Sequence, residues 1–425
     1  MADRPRPDRA LRLHGWLAPT VVGTSLLALA AGIGQFGAVA ALGDVAKSFG
    51  HLSHGATIAD QAGLSGSELG IGLAIVRLAS LASLPMAGLA DRYGRRAVLL
   101  VSCGLGLALT VAAAASPGYW WFVAIFARGR PLLSTTASIA QVDAAEQTGS
   151  DDRAKAVALI AAGYGVGSGL TAIIHSLAGT ALGFRGVFLL AVIPLALLPF
   201  IGRWINEPDR FVREAAAQDH PLPVLGAVAR SYRRQLLIVS SIAFGIAVVT
   251  GPANSFFFVY AQNVLRLSGV TVAAMVGAAG ALGLVGLILG QRLADSIGRR
   301  PTGALALAAV AGFGIMAYSG SRVGLFVGYV LGVAAASVFA PAAGTLANEL
   351  FPTSVRASVA GWQVAAGVLG AVGGLLAFGA IADVGNRFAT AALVTFVPAI
   401  VFAGLFWLVP ETKGREPEDM WPAAE

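Results

Sequence analysis

Three arginines stand inside long apolar runs: Arg77, Arg128 and Arg130. A charged side chain is expensive to keep in such a setting and marks a function by default. No aspartate or glutamate falls within a run at their depth, so the three could take an anion, because guanidinium grips carboxylate or phosphate through two parallel hydrogen bonds. Pro131 follows at once and frees backbone carbonyls beside the pair. Two plainer readings stand beside this one: Arg77 reaching along its own stem to the outer surface, and Arg128 bonding carbonyls between helices. Gln35, in the run Gly32-Ile33-Gly34-Gln35-Phe36-Gly37, is polar in an apolar setting but cannot titrate. In the second half the polar or aromatic candidates are Asn254 and Tyr260, with Phe257 and Phe258. His175 can titrate near neutrality, but its place near the end of a run reads as surface or packing.

A second set of charged residues is duplicated. Residues 88–96 read Gly-Leu-Ala-Asp-Arg-Tyr-Gly-Arg-Arg, and residues 292–300 read Arg-Leu-Ala-Asp-Ser-Ile-Gly-Arg-Arg. Asp91 and Asp295 stand 204 residues apart, near half of the 425-residue chain. Glu146 precedes Arg153 by seven residues, as Glu349 precedes Arg356, and Glu207 has its echo in Glu411. A shared offset means two copies of one unit, and a period has to be recognised before a fold is assigned.

The elements that must position these residues follow from composition. Hydrophobic residues are 56% and charged residues 12% of the chain, about half the charge of a soluble domain. Runs long enough to cross ~30 Å of hydrocarbon occur at 16–43, 68–90, 97–116, 119–142, 156–178, 186–205, 236–262, 269–293, 302–320, 323–347, 357–382 and 388–409. The chain therefore reads as an all-α membrane protein of twelve transmembrane helices. The division is 1–205 for one six-helix bundle, 206–235 for a linker broken by Pro208, Pro221 and Pro223, and 236–425 for the second bundle with its tail.

Charge asymmetry orients the spans. With the N-terminus inside, 21 of the 29 lysines and arginines fall in inner segments and 5 in outer loops. That bias predicts cytoplasmic termini in a bacterial-type membrane. The net charge of +7 then reflects topology and anionic lipid, not nucleic acid, since no soluble domain carries a basic patch. Arg4, Arg6, Arg9 and Arg12 precede an apolar run too long for a signal peptide. Cys103 is the single cysteine, so neither an intrachain disulfide nor a cysteine metal site is expected. Gly163, Gly165, Gly167 and Gly169 follow no strand, which argues against a phosphate loop; small residues instead let membrane helices approach closely. No nucleophile, metal set or cofactor motif supports an enzyme.

The repeated loops, with the Glu349-Leu-Phe-Pro-Thr-Ser-Val-Arg356 and Pro410-Glu411-Thr412-Lys413-Gly414-Arg415 segments, resemble the signatures of the major facilitator superfamily, nearest its sugar-porter and organic-ion branches. The resemblance implies two pseudo-symmetric six-helix bundles and alternating access to a site near mid-membrane. It also implies gating clusters of Asp91, Arg95, Glu146 and Arg153 in one half, and of Asp295, Arg299, Glu349 and Arg356 in the other. The expected substrate contacts are Arg77, Arg128, Arg130, Gln35, Asn254 and Tyr260. The expectation is a monomeric secondary carrier of a small organic anion, with membrane lipid around it, no cofactor, and proton coupling left open. The alternative is drug or metabolite efflux by proton antiport.

Overall fold

The computed structural model describes residues 15–51, 58–207, 232–351, 356–385 and 387–413. The chain is helical, and eleven of its described helices are long and apolar enough to cross a membrane. In chain order with the remaining long helix they are α1 (Pro19–Ala40), α2 (Gly66–Ala90), α3 (Arg95–Ala113), α4 (Tyr119–Gln147), α5 (Lys155–Ala178) and α6 (Gly183–Ile201). The second half holds α7 (Arg233–Val264), α8 (Gly269–Ser296), α9 (Arg299–Ala317), α10 (Arg322–Glu349), α11 (Val359–Val384) and α12 (Phe388–Leu408). The helix outside the apolar eleven is α4. Its 29 residues are ample in length, but Arg128 and Arg130 dilute its apolarity. The linker expected at 206–235 lies, from 208 to 231, outside the described residues.

Local chemistry sets the helix ends. The Ser268 hydroxyl accepts from the Thr271 N–H at the start of α8, and the Ser321 hydroxyl accepts from the Gly324 N–H at the start of α10. Each satisfies a donor that the first helical turn leaves without a partner. Ser65 and Glu68 form a reciprocal capping box before α2: the Ser65 N–H donates to Glu68 and the Glu68 N–H to the Ser65 hydroxyl. Pro131 lies inside the continuous α4, and the positive-φ Gly183 at the start of α6 interrupts the helix that runs on from α5.

The chain forms two compact units, one of Met1–Asp44 with Ala79–His220, the other of Val45–Leu78 with Pro221–Glu425. Helix α2 thus divides between them next to the 3-10 turn at Ser80–Ala82. In the first unit α1 lies along α5. Gly163 and Gly167 are the glycines at that contact, since a side chain there would run into the backbone of Ser25 and Leu29, whereas Gly165 and Gly169 face open space. The core of this unit gathers Leu27, Leu99, Leu107, Leu133 and Ile160. The second unit repeats the arrangement with α7 along α11, where Gly370 and Gly374 meet the backbone of Phe244 and Val248. Its core includes Ile242, Leu307, Leu346, Leu350 and Phe406.

Candidate functional site

The duplicated loops build the same device in each unit. Gly94 ends α2 and opens α3 with φ 99°, and Gly298 does the same between α8 and α9 with φ 113°. Such backbone angles suit glycine alone. Each turn receives a glutamate from the end of its own half. The Glu207 carboxylate accepts from the backbone N–H groups of Arg95 and Arg96. The Glu411 carboxylate accepts from those of Arg299 at 2.9 Å and Arg300 at 3.0 Å. A carboxylate at a helix N-terminus meets both free N–H groups and the positive end of the helix dipole. A Cβ at Gly94 or Gly298 would stand 2.9 or 2.6 Å from the incoming oxygen, so glycine serves the turn twice. Burial pushes the Glu411 carboxyl up, but hydrogen bonds from the backbones of Arg300, Arg299, Lys413 and Thr412 outweigh it and hold it below the ordinary carboxylate range.

The arginine after each glycine forms the ion pair. Arg95 grips Glu146 with Nη2 at 2.8 Å and Nε at 3.0 Å, a two-pronged contact. Arg299 places Nη2 3.3 Å from Glu349 and 3.3 Å from Asp295. The expected clusters also contain Arg153 and Arg356. Arg153 is exposed, and Arg356 donates Nε to the Phe351 carbonyl at 3.0 Å. The Asp91 side chain lies outside the described residues.

Behind Glu146, one turn back along α4, Asp143 is wholly buried. Its carboxyl lies 3.0 Å from the Thr24 hydroxyl of α1 and 2.9 Å from Nε2 of Gln147.

The in-span arginines separate. Arg130 is half-buried and donates Nη1 to the Gln35 carbonyl at 3.4 Å, while the Tyr164 hydroxyl donates to the Gln35 side chain at 3.3 Å. Helices α1, α4 and α5 thus bring Gln35, Arg130 and Tyr164 together inside the first unit. Arg128 is exposed and donates Nη1 to the Ala124 carbonyl of its own helix at 3.0 Å. Arg77 is half-buried on the part of α2 that belongs to the second unit.

In the second unit a cavity of about 290 Å³ opens among α7, α8, α9 and α10. Asn254, Thr250 and Ser337 are polar in its lining, and Phe257 and Tyr329 stack within it at 3.7 Å between ring centroids. Tyr260 is outside this lining. Its hydroxyl accepts from the Gly320 N–H at 3.0 Å and its ring packs on Tyr318 and Phe388, where α7 widens into a π-helical last turn. A second cavity of about 340 Å³ is lined by apolar side chains and Gln363.

Two further polar contacts escape sequence reasoning. His175 is buried, with Nε2 2.7 Å from an Asp44 oxygen; both residues sit at run ends, and nothing local in sequence pairs them. Asp383 accepts from the N–H groups of Gly66 at 2.7 Å and Ser67 at 2.8 Å within the second unit. It caps α2 from a position more than 300 residues away.

Residues 24–322 match the family model of the Major Facilitator Superfamily, and residues 222–423 match that of sugar (and other) transporters. The chain belongs to the Major Facilitator Superfamily. It is a multi-pass membrane transporter and not an enzyme. Among its relatives is a putative metabolite transport protein of Haemophilus influenzae, 29% identical over 77% of this chain and 83% of that one. The 3-(3-hydroxy-phenyl)propionate transporter of Escherichia coli is 29% identical over 75% and 78% of the two chains. A probable 4-methylmuconolactone transporter of Cupriavidus pinatubonensis is 24% identical over 85% and 86%. In fold, the xylose transporter of E. coli superposes with a TM-score of 0.72 at 18% identity, over 95% of this chain and 99% of that one.

Proposed function

We propose that this transporter carries a small organic anion, a carboxylate attached to a compact ring, across the cytoplasmic membrane by alternating access with proton symport. The observation that carries the reading is the half-buried guanidinium of Arg130 beside Gln35 and Tyr164. A half-buried guanidinium beside polar side chains can grip a carboxylate through two parallel hydrogen bonds. The substrates for which two relatives are named, a 3-(3-hydroxy-phenyl)propionate and a 4-methylmuconolactone, support the ring in this reading. The loop clusters of Arg95 with Glu146 and of Arg299 with Asp295 and Glu349 act in this reading as cytoplasmic latches.

The test is a thermal-shift screen of the detergent-purified protein against aromatic carboxylates, lactones, sugars and lipophilic cations, followed by uptake into proteoliposomes. A ligand that binds the folded state raises its apparent stability by mass action. Stabilisation by ring-bearing carboxylates, lost in Arg130→Gln, is the expected result. Stabilisation by lipophilic cations alone, or by carboxylates equally in Arg130→Gln, overturns the reading.

A further inference from the structure

Asp143 lies on the face of α4 that meets α1, fully buried and one turn before Gln147. The hydrogen atoms around it can be counted. The Thr24 hydroxyl has a single hydrogen, yet it lies 2.7 Å from the Thr20 carbonyl and 3.0 Å from Asp143 Oδ2. The Gln147 amide nitrogen has two hydrogens and three acceptors in reach: Asp143 Oδ1 and Oδ2 at 2.9 Å each, and the Asn206 carbonyl at 3.1 Å. With Asp143 ionised, the donors run short. A proton on Oδ2 completes the set. The acid then donates to Thr24, Thr24 keeps the Thr20 carbonyl, and Gln147 gives one hydrogen to Oδ1 and the other to Asn206.

The second half of the molecule supplies an independent argument. The offset that relates Glu146 to Glu349 relates Asp143 to Leu346 and Gln147 to Leu350. Both leucines are buried in the core of the second unit. The same helix end therefore packs with apolar residues in one copy, and the fold has no need of an acid there. A buried polar group that the architecture does not require, and whose burial is costly, is retained for a different purpose.

The charged neighbours are few. Glu146 stands on α4 itself, Arg95 on α3 forks Glu146, and Glu207 caps α3. Helix α1 carries no charged residue. At the start of the α5 helix Asp152 pairs with Lys155 at 2.9 Å, and Arg153 is exposed. On the end of α2 that packs against α4, Arg92 is exposed. Asn206, the third contact of Gln147, is exposed, which puts the group one residue from water.

We infer that Asp143 is a proton-binding site, occupied in this conformation, whose loading and release are tied to the Arg95–Glu146 pair one turn away. In the loading step a hydronium ion gives its proton to the carboxylate, an O–H bond forms at Oδ2, and a water molecule leaves; release reverses this. As the site of the coupled proton it rests on the transport reading above, but as a proton site it stands by itself.

Infrared difference spectroscopy of the purified protein tests the site without any substrate. Between about pH 5 and pH 8, where an exposed aspartate is ionised, the wild type is expected to show the C=O band of a protonated carboxylic acid. That band disappears in Asp143→Asn, an isostere that retains a donor toward Thr24. Absence of the band in the wild type, or its survival in Asp143→Asn, overturns the proposal. In proteoliposomes, the ratio of pH-gradient-driven accumulation to substrate exchange is expected to fall at least tenfold in Asp143→Asn. An unchanged ratio overturns the coupling role even where the infrared band is found.

Discussion

The two arginine-loop ends of this transporter are copies that differ in tightness and in what lies behind them. In the first unit Arg95 holds Glu146 with two bonds, at 2.8 and 3.0 Å. In the second, Arg299 divides Nη2 between Asp295 and Glu349 at 3.3 Å, while Arg299 Nε and Glu349 Oε2 have no hydrogen-bond partner among the described residues. Behind the tight pair stand Asp143 and Gln147; behind the loose one stand Leu346 and Leu350. The glycine turn and the capping glutamate occur in both copies, so the architecture demands them. The buried acid occurs in one, so it belongs to function.

The comparison can be broken most strongly by transplanting the acid. Leu346→Asp puts a carboxyl among Leu307, Phe339 and Phe351 with no donor provided, and is expected to cost about 3–5 kcal/mol, read as a fall in unfolding midpoint. The reverse exchange, Asp143→Leu with Gln147→Leu, copies the second unit's packing and should cost under about 2 kcal/mol, since apolar replacement of buried polar groups is often near neutral. A double variant as damaging as Leu346→Asp would show that the polar group is structural.

The next effect concerns the turns. Gly94→Ala and Gly298→Ala each force a side chain into a glycine-only conformation, at about 1–3 kcal/mol. Gly298→Ala is expected to be the worse of the two, because its Cβ would meet Glu411 at 2.6 Å against 2.9 Å for Glu207 at Gly94. Equal losses in thermal melts would mean that the carboxylate contact adds nothing beyond backbone strain.

The smallest effect is that of the caps. Glu207→Gln and Glu411→Gln should each lose about 0.3–1 kcal/mol of helix-terminus stabilisation, with the greater loss at Glu411, which collects four backbone N–H groups. The Glu411 carboxyl is held below its ordinary value of 4.5. Its stabilisation is therefore complete above that value and is lost as the pH falls through the lowered one. An acid melt in which Glu411→Gln is as sensitive as the wild type below about pH 4.5 would remove this assignment.

Much of the architecture was legible beforehand. Apolar length located the membrane helices, and the repeated Gly94 and Gly298 located the turns. The small-residue stripe on α5 predicted a close helix contact, although which of its glycines face α1 needed the structure. The site was less legible. Glu207 and Glu411 matched at the repeat offset, but their role at the N-termini of α3 and α9 depends on how the chain returns from α6 and α12. Arg153 and Arg356 keep the spacing of the clusters, but the exposure of Arg153 and the bond of Arg356 to the Phe351 carbonyl needed the structure. His175 read as surface or packing and lies buried beside Asp44, a partner 131 residues away.

By itself the sequence determined what depends on composition and on neighbours along the chain: helices long enough for a membrane, their number, the duplication, and glycine where backbone angles exclude other residues. These follow from local steric and solvation costs that every residue meets wherever the chain goes. Only the tertiary structure decided which polar groups meet. Asp143 with Thr24, Arg130 with Gln35, and Asp383 with the start of α2 are contacts between distant elements. They depend on the rotation of each helix about its own axis, and that rotation is set by packing against neighbours that no stretch of sequence names.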